Sequence, residues 1–140
     1  WERRECVTLD DGSSVNLLSL NDLVRAKKTQ RDKDWPMIRR LIEADFIRHP
    51  NSSVEQRAFW FLESRTPEML IQLVQLYPEQ GSELMSSRPL LRDAFAGDVP
   101  RIESGLEEEQ KRERERDREY WQPLRAELEI LRHTGLPSEA

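Results

Sequence analysis

The chain has 140 residues, 22 Lys+Arg against 27 Asp+Glu, a net charge of −5, 36% hydrophobic residues and 35% charged ones. A charged share well above the ~25% of an ordinary globular domain, with a hydrophobic share below the usual ~45–50% (which counts Gly but not Tyr), argues for one domain with an appendage. No apolar run approaches the ~20 residues that cross a bilayer; the single Cys6 forbids an internal disulfide, and with only His49 and His133 beside it there is no Cys/His cluster at zinc spacing.

The start WERREC has neither an initiator Met nor a signal-peptide apolar core, which makes a fragment of a longer protein one expectation. Residues 5–18 carry the one strand-like pattern. Val7 and Leu9 alternate, Asp11-Gly12 turns, and Val15, Leu17 and Leu18 resume, which predicts a β-hairpin. An isolated two-stranded hairpin is marginal in water, so this one needs a partner surface.

Ser19 reads as a helix N-cap with Asp22 three positions on, opening a helix to about Thr29 with Leu20, Leu23 and Val24 on its apolar edge. Asp34 is a plausible cap for a second helix with Pro36 in its first turn. Ile38, Leu41, Ile42 and Phe46 share one face of it, and it should stop near His49-Pro50. Ser52 or Ser53 starts a third, whose Phe59, Trp60, Phe61 and Leu62 cannot all share one stripe and so imply deep burial. Thr66-Pro67 opens a fourth with Leu70, Leu73, Val74 and Tyr77 on one face, bounded by Pro78 and Gly81. Two short helical pieces follow, before Gly97 and Pro100.

From 107 to 119 the character changes, with twelve charged residues in thirteen and no apolar one. Acid-first pairs at i, i+4, such as Glu107/Lys111 and Glu108/Arg112, favour a helix, while Arg112/Arg116 and Glu115/Glu119 oppose it. A helix polar all round is expected to be a solvent-exposed rod. Beyond it Pro123 should kink the rod or begin a new helix, and Leu124, Leu128, Ile130 and Leu131 give the tail an apolar edge that Thr134-Gly135 closes. Such an edge needs something to dock on. The fold class expected is mainly α: a short N-terminal β-hairpin (1–18), a compact helical bundle (19–97), and a long charged C-terminal helix with an amphipathic tail (98–140).

Residues 25–48 hold eight Lys/Arg and four acids, a local +4 inside an acidic chain. Lys27, Lys28 and Arg31 lie within about one helical turn and could converge on a phosphate; the alternative is a solvated face with local ion pairs to Asp32 and Asp34. Other constellations carry less. A lone cysteine such as Cys6 in a strand is usually a small buried hydrophobe rather than a thiol served by His49. On a helix Asp32 and Asp34 point to different sides, the group around Trp60 reads as core, and tract 107–119 has seven acids against five bases, which gains little from nucleic-acid phosphates.

The run LLSLNDLVRAKKTQRDKDWPMIRRLI resembles the C-terminal part of nucleotidyltransferase-like domains of abortive-infection type toxins and related bacterial proteins. In those a final strand leads into a leucine, acid, leucine helix start, then a lysine, then an Arg-x-Lys-Asp or Arg-x-x-Lys-Asp element. The matching residues are Ser19, Leu20, Asp22, Leu23, Lys27 or Lys28, Arg31, Lys33 and Asp34, within residues 7–45. The resemblance implies a cytoplasmic bacterial protein in which Lys27, Lys28, Arg31 and Lys33 contact a nucleotide or nucleic-acid phosphate and Asp34 orients them. The hairpin is then the remnant of a transferase core.

This chain also departs from that family. Met37 stands where an acid closes its KDxxD element, and the Gly12-Ser13-Ser14 turn is not followed by the Asp-x-Asp pair that holds Mg²⁺ and the nucleoside triphosphate. No catalytic residue, metal ligand or cofactor is therefore assigned to this chain; Mg²⁺ and the triphosphate belong to a full-length transferase. A second expectation, from a different class, is a non-enzymatic interaction module, antitoxin-like or an assembly protein. In that reading the tail 121–140 docks on a protein partner or a second copy.

Overall fold

The computed structural model describes residues 4–134. Among them are an N-terminal hairpin and seven α-helices, with one short 3-10 turn at Leu84–Ser86. Strands β1 (Glu5–Thr8) and β2 (Ser14–Leu17) pair antiparallel with Val7 opposite Val15. Their turn is built by Gly12 at φ 81°, a backbone region open to glycine. Asp11 fastens it, its carboxylate accepting from the Ser13 N–H at 2.9 Å.

Helices α1 (Leu20–Lys27), α2 (Asp34–Arg48), α3 (Val54–Glu63), α4 (Pro67–Leu76), α5 (Pro78–Glu83) and α6 (Leu91–Ala96) form the bundle. Local chemistry starts several of them. The Ser19 hydroxyl accepts from the Asp22 N–H at 3.3 Å, Ser53 does the same for Gln56 at 3.2 Å, and Pro67 opens α4 where its missing N–H costs nothing. The apolar faces close on one core, with Ile38, Ile42, Trp60, Phe61, Leu70, Leu73 and Leu91 fully buried. Trp60 is also anchored through its ring N–H, which donates to Asp45 at 2.7 Å.

Helix α7 (Val99–Thr134) is a single element of 36 residues, about 54 Å long at 1.5 Å per residue. Its first turns belong to the core through Ile102 and Leu106. Gly105 permits the close approach, since a Cβ there would strike the Leu90 side chain.

Several expectations are corrected. Of the two expectations for Pro123, a new helix does not begin there, for α7 runs through it; at an exposed position the carbonyl freed by the missing N–H is open to solvent rather than stranded. Gly81 does not bound α4 but lies buried inside α5, against the Phe61 ring. Asp34 is the first residue of α2 rather than its cap. Cys6 is exposed rather than buried, because among the described residues no second layer lies over the hairpin. Of the four apolar residues on α3, Trp60 and Phe61 are buried and Leu62 faces out. Gly135 lies outside the described residues.

Candidate functional site

The charge-rich segment and the long helix meet. Where the tract 107–119 was expected to be a rod in water, one side of it is half-buried: Glu109, Gln110, Glu113, Arg114 and Asp117. These positions continue the stripe of Ile102 and Leu106 down the same side of α7. The stripe changes from apolar to charged without leaving the bundle. Its partners on the bundle are cations and amides for the acids and the Asp32 carboxylate for Arg114.

Arg88, at the turn before α6, is the centre of the upper part. Its guanidinium donates to the Phe61 and Ser64 carbonyls, both at 2.9 Å, satisfying acceptors at the C-terminal end of α3. It also forms a two-pronged pair with Glu109 at 3.0 and 2.6 Å, the geometry in which an arginine–carboxylate contact is strongest. Arg65 lies beside it, 3.4 Å from Glu109 and 3.3 Å from Glu63, with its guanidinium over the Trp35 ring at 5.5 Å. Burial and the adjacent Arg88 charge both push the Arg65 pKa down, against the pull of Glu63, Glu109 and Glu113.

The lower part is made by the basic segment between α1 and α2. Lys27, Arg31 and Asp34 are brought together: Asp34 is buried and accepts from Thr29 Oγ1 at 2.9 Å, Arg31 Nε at 2.8 Å and Lys27 Nζ at 3.4 Å. Burial opposes ionisation of this carboxyl, but those three donors and the Arg31 charge outweigh it and hold the pKa below the ordinary carboxylate value. Lys28 turns the other way, to Glu63 at 2.7 Å and Glu113 at 3.9 Å. Lys33 is exposed and carries no ion pair among the described residues. The four cations therefore do not converge on one empty point. Two of them serve Asp34 and one serves the α3–α7 junction.

Two further contacts complete the seam. Arg114 reaches Asp32 at 2.7 Å and sits over Trp35 at 5.8 Å, while Asp117 accepts from the Gln30 backbone N–H at 3.2 Å and its side-chain amide at 3.1 Å. Charge counted along the tract does not mark Glu109, Glu113 and Asp117 as a docking face. Their spacing of four, in line with Ile102 and Leu106, is the signal that identifies them.

Beyond Asp117 the environment reverses. Every residue from 118 to 134 is exposed, although Trp121, Leu124, Leu128 and Leu131 lie on one side of the helix. The Trp121 ring is oriented by its N–H, which donates to Asp117 at 3.1 Å. This extension is about 25 Å long, and its helix is an elongation of a docked one, so the costly nucleation step has already been taken.

Among the described residues no helix is long and apolar enough to cross a membrane, and no three His, Cys, Asp or Glu side chains are grouped to hold a metal ion. Compared with protein-family models, curated proteins and solved structures, the chain matches none.

Proposed function

We propose that this chain is a non-enzymatic interaction module whose docking element is the projecting half of α7. One observation carries the reading: Trp121, Leu124, Leu128 and Leu131 form a continuous apolar stripe and are 43–51% exposed on a helix that has left its bundle. Single exposed leucines need no explanation, but a contiguous stripe on a projecting element marks an interaction surface. Among the described residues the core is closed without this stripe, and none of them covers it.

The test is the pair Leu124→Asp with Leu128→Asp in the full chain. Since both side chains are exposed, thermal stability should stay within about 0.5 kcal/mol of the parent, while proteins that co-purify with the tagged parent from its own host should be lost. A variant that retains the parent's whole partner profile and oligomeric mass ends the proposal.

A second reading keeps the resemblance: the C-terminal helical part of a nucleotidyltransferase-like protein, contacting phosphate. What favours it is a surface depression of about 240 Å³ lined by Lys28, Arg65, Arg88, Arg112 and Arg116 together with Glu109 and Glu113, which leaves Arg112 free of those carboxylates. Lys27 and Arg31 are poor targets for testing it, because they support the buried Asp34. Arg112→Ala with Arg116→Ala should instead abolish ATP binding measured by calorimetry; no heat of binding from the parent at millimolar ATP rejects this reading.

A further inference from the structure

The projecting stripe has a register and two unlike flanks. Trp121, Leu124, Leu128 and Leu131 are spaced three, four, three, the a and d seam of two coiled-coil heptads. Arg118, Arg125 and Arg132 recur at seven residues on one flank, each in the e position that follows d; Arg125 and Arg132 directly follow Leu124 and Leu131. The other flank holds Tyr120 and Glu127, each directly before an a residue. One edge is thus an arginine rail, and the opposite edge has a single charge.

A second copy fits this surface badly in either direction. At about 100° per residue the seam continues the side of α7 that carries Ile102, Leu106, Glu109 and Glu113, the side on which the bundle itself sits. A parallel copy would therefore run its own upstream turns and bundle into the space this bundle occupies. An antiparallel copy avoids that collision, but its two-fold axis sets like flank against like flank. Arginine then faces arginine along one edge and Glu127 faces Glu127 along the other. A lipid surface is no better matched, because residues 118–134 carry three Arg and three Glu, with none of the cationic excess that draws an interfacial helix to anionic headgroups.

Resting on the interaction-module reading, we infer that the occupant is an amphipathic helix of a different protein, with an apolar seam of its own and carboxylates along the edge that meets Arg118, Arg125 and Arg132. The apolar seams supply the affinity, and the rail selects the partner by charge.

The test uses two fluorescent 21-residue helical peptides with leucine at every a and d. One carries Glu at all e and g positions and the other Lys, so that neither pairs with itself. In anisotropy titrations against the full chain at low salt the Glu peptide should bind about tenfold more tightly, the sum of a few surface pairs. Arg125→Glu with Arg132→Glu should invert the preference, and Leu124→Asp with Leu128→Asp should abolish binding of both. Equal binding, preference for the Lys peptide, or binding of neither overturns the inference. So does uptake on phosphatidylserine vesicles in place of the peptides. A concentration-dependent dimer in sedimentation that Leu128→Asp abolishes overturns it too, yet leaves the interaction reading standing. A monomer that binds neither peptide and loses no cellular partner on Leu124→Asp with Leu128→Asp removes both.

Discussion

The two halves of α7 are one continuous helix with opposite fates. Residues 99–117 contain most of the charged tract and are docked along one side; residues 118–134 contain the apolar stripe and are exposed throughout. Polarity summed along a segment is therefore a poor guide to burial. What decides is whether the facing surface offers complementary groups. The bundle presents Arg65, Arg88, Lys28 and the Gln30 amide, and α7 answers with Glu109, Glu113 and Asp117. Past Asp117 the bundle surface ends, and even leucines stay in water.

The comparison is broken most severely at Arg88. Arg88→Ala strips Glu109 of its two-pronged partner and leaves the Phe61 and Ser64 carbonyls unsatisfied, so a loss of about 3–5 kcal/mol is expected from urea denaturation. A loss under about 1 kcal/mol would mean that α7 is held by its apolar turns alone. Those turns are probed by Ile102→Ala, fully buried in the parent, for which about 2–4 kcal/mol is expected in the same measurement.

A pH series sharpens the lower part of the seam. The Asp34 carboxyl is depressed, so its contribution is complete above the unfolded-state pKa near ~3.9 and is lost as pH falls through the lower folded value. Stability should fall below about pH 4, and Asp34→Asn should be less stable at neutral pH with a flatter acid limb. An unchanged acid limb in the variant would remove Asp34 from this role.

Smaller still, Asp117→Ala should cost about 1 kcal/mol through the Gln30 contacts, with faster amide exchange at residue 30 as its local signature. Truncation after Tyr120 should change stability by no more than about 0.5 kcal/mol. A large loss on truncation would show that the projecting half supports the bundle after all.

Much of this architecture is legible in local chemistry. Asp11-Gly12 marks the hairpin turn, Ser19 and Ser53 cap their helices, and Thr66-Pro67 starts α4, because each acts through backbone groups a few residues away. The candidate site was only half legible. Lys27, Lys28, Arg31 and Asp34 stand out by composition, but their partners Glu63 and Glu113 lie far along the chain, and only packing shows that Lys28 meets them. Arg88 carries no local signal at all; it sits between two short elements and gains its role from carbonyls and a carboxylate more than twenty residues away.

By itself, then, the sequence determined the mainly helical class, the hairpin, most helix starts and the amphipathic register of the tail, since all of these depend on spacing and on neighbours within a turn. Tertiary structure alone decided that the charged tract is a docking strip, that Pro123 lies within an unbroken helix, and that the apolar stripe is left uncovered. Charge pairing and burial depend on what stands opposite, and residues distant in the chain supply it.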